Sequence, residues 1–313
     1  NSNDSEGKIN SVLLRCRFRK ITASPLNEDF KLNLLYCCSP LKNTDRRKID
    51  RMMEKRYFAI PILAIALHFL LSNLLYFLVE RLVLDVFHIP PQQFMKYSYW
   101  GEILIYAVLI LVFFVLYKLL WRKEVRYPRT MTNFKDVLGS LVVGFGICGI
   151  SGLWILLAEQ LPSLQKSVAA MNAGAENIAG GNAFGTFMIA VIAAPVVEEI
   201  LFRGIVLRSM RKFTPAWAAI LISSVLFGVY HLNIVQAAYA TLMGIAAGIL
   251  YEKKRNLLFP ILVHFANNLI TMLQGFAPSE VNELISIFIL IMIAPAGYIV
   301  CRSLRQDKRA DSM

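Results

Sequence analysis

The sequence predicts an all-α, polytopic membrane protein. Hydrophobic residues make up 57% of the 313-residue chain, only 17% of the residues are charged, and the mean hydropathy is +0.53. The apolar residues gather into runs near the roughly 20 residues that a helix needs to cross a hydrocarbon core of about 30 Å. A water-soluble domain of this length would carry a larger share of charge. We therefore expect about eight transmembrane helices.

The apolar runs follow one another from residue 57 to residue 301. They cover 57–79, 101–121, 137–158, 183–202, 215–231, 236–251, 257–274 and 284–301. The fifth and sixth runs are short and are joined by only 232–235. Their existence as separate spans therefore needs support from the charge pattern.

Lysine and arginine residues are unevenly distributed over the connections between the runs. They are frequent before the first run, in every second connection and in the C-terminal tail, and scarce in the intervening connections. Because positively charged short loops stay in the cytoplasm, this alternation predicts eight spans with both termini cytoplasmic. The net charge of +12 is then explained by loops beside the lipid bilayer, so nucleic acid is not expected as a partner.

Residues 1–51 are polar, mixed in charge and without a helical pattern, so a disordered extension is expected. Met52-Met53 directly precedes the first run, and Arg46-Arg47-Lys48 can be encoded by a purine-rich ribosome-binding sequence. We hypothesise that translation starts at Met52 or Met53 in a bacterium, which makes the bacterial plasma membrane the expected location. The alternative is that 1–51 form a native, disordered cytoplasmic tail.

The remaining chain is expected to form three regions. Residues 52–182 contain three membrane helices, residues 183–275 carry polar clusters inside apolar runs, and residues 276–313 contain the last membrane helix and a basic cytoplasmic tail. The middle region is the expected functional core, because ionisable groups inside membrane helices are costly and usually serve a function.

The first polar cluster lies at the end of the fourth run. Glu199 and Arg203 are four residues apart, so on a helix they share a face in the order that favours an ion pair. Glu198 lies about 100° around the helix from Glu199 and points elsewhere. We therefore expect one acid to have a structural role and the other to take part in a chemical reaction.

Two further clusters place histidines on helical faces. Phe227 and His231 share a face of the fifth run, and His264 and Asn268 share a face of the seventh. Measured from the cytoplasmic turns at about 1.5 Å per residue, Glu198 and these polar side chains lie at overlapping depths of about 12–24 Å. The expected cavity therefore lies among helices four, five and seven.

Three other features of the sequence have simpler interpretations. Pro195 and Pro260 each remove a helical hydrogen bond, and the resulting kinks would open space near the acidic and histidine clusters. The small residues at positions 240, 244 and 248 form a packing face. His68 and His88 lack polar neighbours at helical spacing and are interpreted as packing or interfacial residues.

In this order on successive membrane helices, Glu-Glu-x-x-x-Arg, Phe-x-x-x-His and His-x-x-x-Asn resemble the CPBP family. This family contains type II CAAX prenyl endopeptidases and bacteriocin-processing enzymes and is also called the Abi family. The resemblance covers 183–275 and implies a glutamate-dependent intramembrane endopeptidase that acts on a membrane-associated peptide or protein. The implied site comprises Glu198 and His231, which activate water, His264 and Asn268, which stabilise the oxyanion, and Glu199, Arg203 and Phe227 as structural support.

Chemical principles agree with the implied roles. A carboxylate in a low-dielectric cavity is a better base than one in water, and a neighbouring histidine can share the proton. Amide and imidazole N–H groups are suitable donors to a developing oxyanion.

Other functions remain open at this stage. A non-catalytic membrane scaffold or bacteriocin-immunity protein of the same fold is one alternative, and a proton-coupled transporter is another. The polar side chains would then serve only as hydrogen-bonding partners between helices. No cofactor is expected, although one glutamate and two histidines would suffice as zinc ligands. The five cysteines show no CxxC spacing that would suggest a zinc or disulfide site.

Overall fold

The computed structural model describes the backbone of residues 43–88, 90–122, 132–179 and 182–310, and the side chains of residues 57–88, 90, 98–122, 132–173 and 182–305. The chain divides into two compact units, Asn1–Lys55 and Arg56–Met313. Residues 1–42 of the predicted disordered extension lie outside the described residues. The boundaries of the three predicted regions after residue 51 stay predictions.

Over the described residues the chain forms nine helices. They are α1 (Asn43–Arg81, continued by the π-helical turn Leu82–Val86), α2 (Pro91–Leu120), α3 (Phe134–Glu159), α4 (Gln165–Ala179), α5 (183–210), α6 (Ala216–Tyr230), α7 (Ile234–Lys254), α8 (Leu258–Phe276) and α9 (Ser279–Ala310). Each of the eight predicted runs coincides with one of these helices. The ninth helix, α4, occupies the connection between the third and fourth runs.

Five of the helices are long and apolar enough to cross a membrane. The corresponding segments are Tyr57–Val86, Ser98–Leu120, Phe134–Glu159, Ile234–Lys254 and Ser279–Arg305. Helix α6 has 15 residues and at 1.5 Å per residue is only about 22 Å long. The all-α, polytopic membrane fold is therefore confirmed, whereas the number of eight spans stays a prediction.

Helices α3 and α7 form the centre of the second unit. In their most apolar segments 44% and 56% of the residues are buried, compared with 11% in α1, 17% in α2 and 11% in α9. The outer helices expose large apolar side chains such as Leu63, Leu70 and Ile291. An apolar exterior of this kind fits lipid as the surrounding solvent.

Helix α5 is unusual because it alternates between α-helical and π-helical geometry. Phe187–Ala193 and Ile200–Leu207 are π-helical, and Ala194–Glu199 between them is α-helical. All residues of the second π-helical segment are buried. Short π-helical segments inside helices are frequent at functional sites, and the acidic cluster lies at the junction between the two geometries.

Small residues allow the central helices to approach closely. A Cβ atom on Gly244 of α7 would lie 2.9 Å from the Cβ atom of Ser224 of α6, and one on Gly144 of α3 would overlap the carbonyl oxygen of Val263 of α8. The predicted packing face on α7 is therefore confirmed, since α6 packs directly against it.

Two local expectations were wrong. Helix α1 begins at Asn43, so residues 43–51 are helical, because extending an existing helix costs far less than nucleating one. Pro260 lies in the first turn of α8, where the backbone N–H has no partner within the helix, and it therefore removes no hydrogen bond.

Candidate active site

The two acids of α5 have different environments. The side chain of Glu199 is fully buried, and its Oε1 accepts a hydrogen bond of 2.9 Å from Nη1 of the equally buried Arg203. The same oxygen lies 3.1 Å from Nδ1 of His264 on α8. Because a carboxylate can only accept, Nδ1 of His264 carries the hydrogen. Glu199 therefore connects α5 to α8.

Glu198 is the more accessible acid, with 12% of its side chain exposed. Its Oε2 lies 3.9 Å from Nε2 of His264. This buried oxygen has no hydrogen-bond partner within the part of the chain that the structure describes. The separation is too long for a direct hydrogen bond, but a water molecule or a substrate group can bridge it.

An aromatic ring joins the ion pair to the second histidine. The guanidinium of Arg203 lies over the ring of Phe227 at 4.8 Å from its centroid. The ring of Phe227 meets His231 edge-on at 5.0 Å and His264 at 5.7 Å, both measured between centroids. Phe227 therefore fixes the spacing of the two histidines and the arginine.

His231 is held at the end of α6 in one orientation. Its backbone N–H bonds the carbonyl groups of Gly228 and Val229, which ends the helix. Its Nδ1 donates to the carbonyl oxygen of Phe227 at 2.9 Å. In the neutral imidazole, Nε2 is then the atom with the free lone pair, which is the form that can accept a proton.

Asn268 reaches α5 two turns before the acids. The carbonyl of Ala190 could accept from residue 194 in α-helical register or from residue 195 in π-helical register. Ala194 donates its N–H to Ile189 instead, and Pro195 has no N–H. The carbonyl of Ala190 therefore has no donor within its own helix. Nδ2 of Asn268 donates to this carbonyl at 2.8 Å. The predicted effect of Pro195 is therefore a released carbonyl group that a side chain of α8 satisfies.

The structure brings six of the seven predicted site residues into one connected group. These are Glu198, Glu199, Arg203, Phe227, His231 and His264. Asn268 instead contacts Ala190 and accepts a hydrogen bond of 3.0 Å from its neighbour Asn267. The group is formed by α5, α6 and α8, which contain the fourth, fifth and seventh apolar runs.

Sequence reasoning missed a polar pair beside this group. The hydroxyl of Tyr230 lies 2.8 Å from Nδ1 of the buried His68 on α1. The interpretation of His68 as a packing residue agrees with its ring contact to Phe113 at 5.3 Å but omits this hydrogen bond. The position of Tyr230 directly before His231 was the available signal.

No metal cluster is apparent among the described side chains. No three or more His, Cys, Asp or Glu residues there are grouped so that they could hold a metal ion.

Part of the chain is similar in sequence to helical membrane peptidases. Residues 180–270 match the family model described as type II CAAX prenyl endopeptidase Rce1-like, so the resemblance predicted from the motifs is confirmed for this segment. The chain is also similar to the Bacillus subtilis (strain 168) protein named "Putative membrane peptidase YdiL", with 31% identity over 91 residues. That match covers 29% of this chain and 37% of the relative. No solved structure matches.

Proposed function

We propose that the chain is an intramembrane endopeptidase that hydrolyses a peptide bond in a membrane-associated peptide or protein. The observation that carries the proposal is the contrast between the two adjacent acids. Glu199 is fully buried and paired, whereas Glu198 is partly exposed and faces an imidazole nitrogen without a direct bond. A free carboxylate of this kind is suited to take a proton from water.

His231 is proposed to share this proton with Glu198. Its Nδ1 hydrogen is engaged by the carbonyl of Phe227, so Nε2 is available as the second base. The resemblance to the CPBP family assigns the same two residues to water activation. Because Phe227 also contacts Arg203, the base is anchored to the ion pair.

His264 is proposed to stabilise the oxyanion that forms when water attacks the carbonyl. Its Nδ1 hydrogen is engaged by Glu199, so donation from Nε2 requires the doubly protonated imidazolium. The carboxylates of Glu198 and Glu199 lie on its two sides, 3.9 Å from Nε2 and 3.1 Å from Nδ1. A positive charge there opposes the developing negative charge.

Asn268 is proposed to supply the second donor. An amide nitrogen carries two hydrogens, and the carbonyl of Ala190 takes one of them. The other remains for the oxyanion. In this account Asn268 has a structural and a catalytic task, which can be separated by mutation.

The proposed setting is a bacterial plasma membrane with both termini in the cytoplasm. The alternation of basic connections supports this orientation. In a bacterium the substrate would be a leader peptide, a signalling peptide or a membrane protein rather than a prenylated CAAX protein.

The test uses the full chain purified into lipid nanodiscs and a library of apolar, membrane-inserting peptides analysed by mass spectrometry. Glu198→Gln should lower the rate of cleavage by about 10²–10⁴, the usual contribution of a general base. Glu283→Gln, the same change at an exposed position of α9, should leave the rate unchanged. Cleavage by Glu198→Gln at the wild-type rate would contradict the proposal and favour a scaffold or immunity protein.

A further inference from the structure

A second polar site adjoins the group around Glu198. It is a cavity of about 360 Å³ lined by residues of α1 and α2 and by Tyr230 of α6. This volume is at the lower end of the range of ligand pockets, about 300–1,000 Å³. Tyr230 connects it to the proposed active site, because its ring lies 5.8 Å from that of His231.

The cavity contains an acid without a counter-charge. Glu102 of α2 lines it and is half-buried. Within the described residues Glu102 has neither an ion pair nor a hydrogen bond, and none of the described lining residues is a lysine or an arginine. An unpaired carboxylate within a membrane helix is costly and points to a ligand.

A second, independent observation supports a ligand at this place. His68 also lines the cavity and is only 5% exposed. Its Nδ1 is engaged by Tyr230, whereas its buried Nε2 has no hydrogen-bond partner among the described residues. Buried polar atoms are normally satisfied, so a group that enters the cavity would complete this one.

The remaining lining is suited to a long cationic side chain. The rings of Phe69, Tyr76, Tyr106 and Tyr230 surround the space, and aromatic faces attract cations. Leu109 supplies an apolar surface for an aliphatic stem.

The charge of Glu198 also reaches this cavity. It acts electrostatically on the phenols of Tyr106 and Tyr230, so the field of a second carboxylate extends across the cavity wall. A positive group is therefore favoured over a neutral or a negative one.

We propose that this cavity receives a lysine or arginine side chain of the substrate, held by Glu102, so that a basic residue close to the cleaved bond determines specificity. The inference rests on the proposed peptidase function. It narrows the substrate class to membrane-associated segments that carry a basic residue within or beside the apolar stretch.

The experiment uses single-span peptides in nanodiscs that differ at one position, which carries lysine, arginine, glutamine or glutamate. When the varied residue is the one that enters the cavity, wild type should cleave the basic peptides about 10- to 100-fold more efficiently than the glutamine peptide. The gain should come mainly from a lower KM. Glu102→Gln should abolish this preference, so that the basic and glutamine peptides are cleaved with similar efficiency. Glu102→Asp should retain part of the preference, and Glu283→Gln should retain all of it.

Failure of the cavity proposal and failure of the peptidase proposal are distinguishable. Cleavage that depends on Glu198 but ignores the basic residue, or a basic preference that survives Glu102→Gln, overturns the cavity proposal alone. If no cleavage depends on Glu198, the peptidase proposal fails. Fluorescence anisotropy of labelled peptides on the Glu198→Gln chain then decides, because tighter binding of the lysine peptide that disappears with Glu102→Gln supports the cavity, and equal binding overturns it.

Discussion

Replacing Arg203 should strongly destabilise the protein, because the buried carboxylate of Glu199 would lose its ion pair and keep only its contact with His264. Both side chains of the Glu199–Arg203 pair are fully buried, and their polar atoms are 2.9 Å apart. Removing one partner of a buried pair typically costs about 3–5 kcal/mol. Arg203→Met retains much of the apolar stem, so we expect a fall in the free energy of unfolding of this size.

The measurement is unfolding of the purified chain in mixed micelles titrated with a denaturing detergent, followed by tryptophan fluorescence. A double-mutant cycle with Glu199→Leu should give a coupling free energy of about 2 kcal/mol or more. The matched control is Arg81→Met. Arg81 pairs with Asp85 at the same four-residue spacing, but the two side chains are 56% and 58% exposed, so a cost of at most about 0.5 kcal/mol is expected. A cost below about 1 kcal/mol for Arg203→Met, or strictly additive effects, would refute the reasoning.

Three further predictions concern packing, the released carbonyl and metal. Gly144→Leu should cost at least about 2 kcal/mol of unfolding free energy by overpacking α3 against α8, whereas Gly152→Leu, where a Cβ would meet nothing within 4 Å, should be nearly neutral. Asn268→Ala should lower the free energy of unfolding by about 1–3 kcal/mol, because it leaves the carbonyl of Ala190 unsatisfied. Adding Pro195→Ala, which supplies an N–H to this carbonyl, should restore stability but not peptide cleavage. Restored cleavage would argue against a catalytic role of Asn268. Chelators should leave peptide cleavage unchanged, and loss of cleavage that zinc restores would revive the metal alternative.

The helices could be predicted because each apolar run is close to the length that a membrane demands. Helix α4 was not predicted from the sequence because residues such as Lys166 and Asn172 make it too polar to form an apolar run. The π-helical parts of α5 were not predicted for another reason. They depend on donors from other helices, such as Asn268 to Ala190 and Trp121 to Gly204, and such contacts have no local sequence signal.

The site was predictable in composition but not in connectivity. Helical spacing of four residues predicted the Glu199–Arg203 pair, and the structure contains it. That Glu199 also holds His264, and that Tyr230 reaches His68, depends on which helices are neighbours. Glu102 was passed over because a single acid in an apolar run has no partner at helical spacing.

The most direct test of peptidase function compares peptide termini in cells that express wild type or Glu198→Ala at matched membrane levels. The account predicts new termini that require Glu198 and that reveal the substrate and the cleaved bond together. Identical termini in the two cell lines, with any phenotype of the wild type preserved in the mutant, would contradict it and leave a non-catalytic scaffold as the better account.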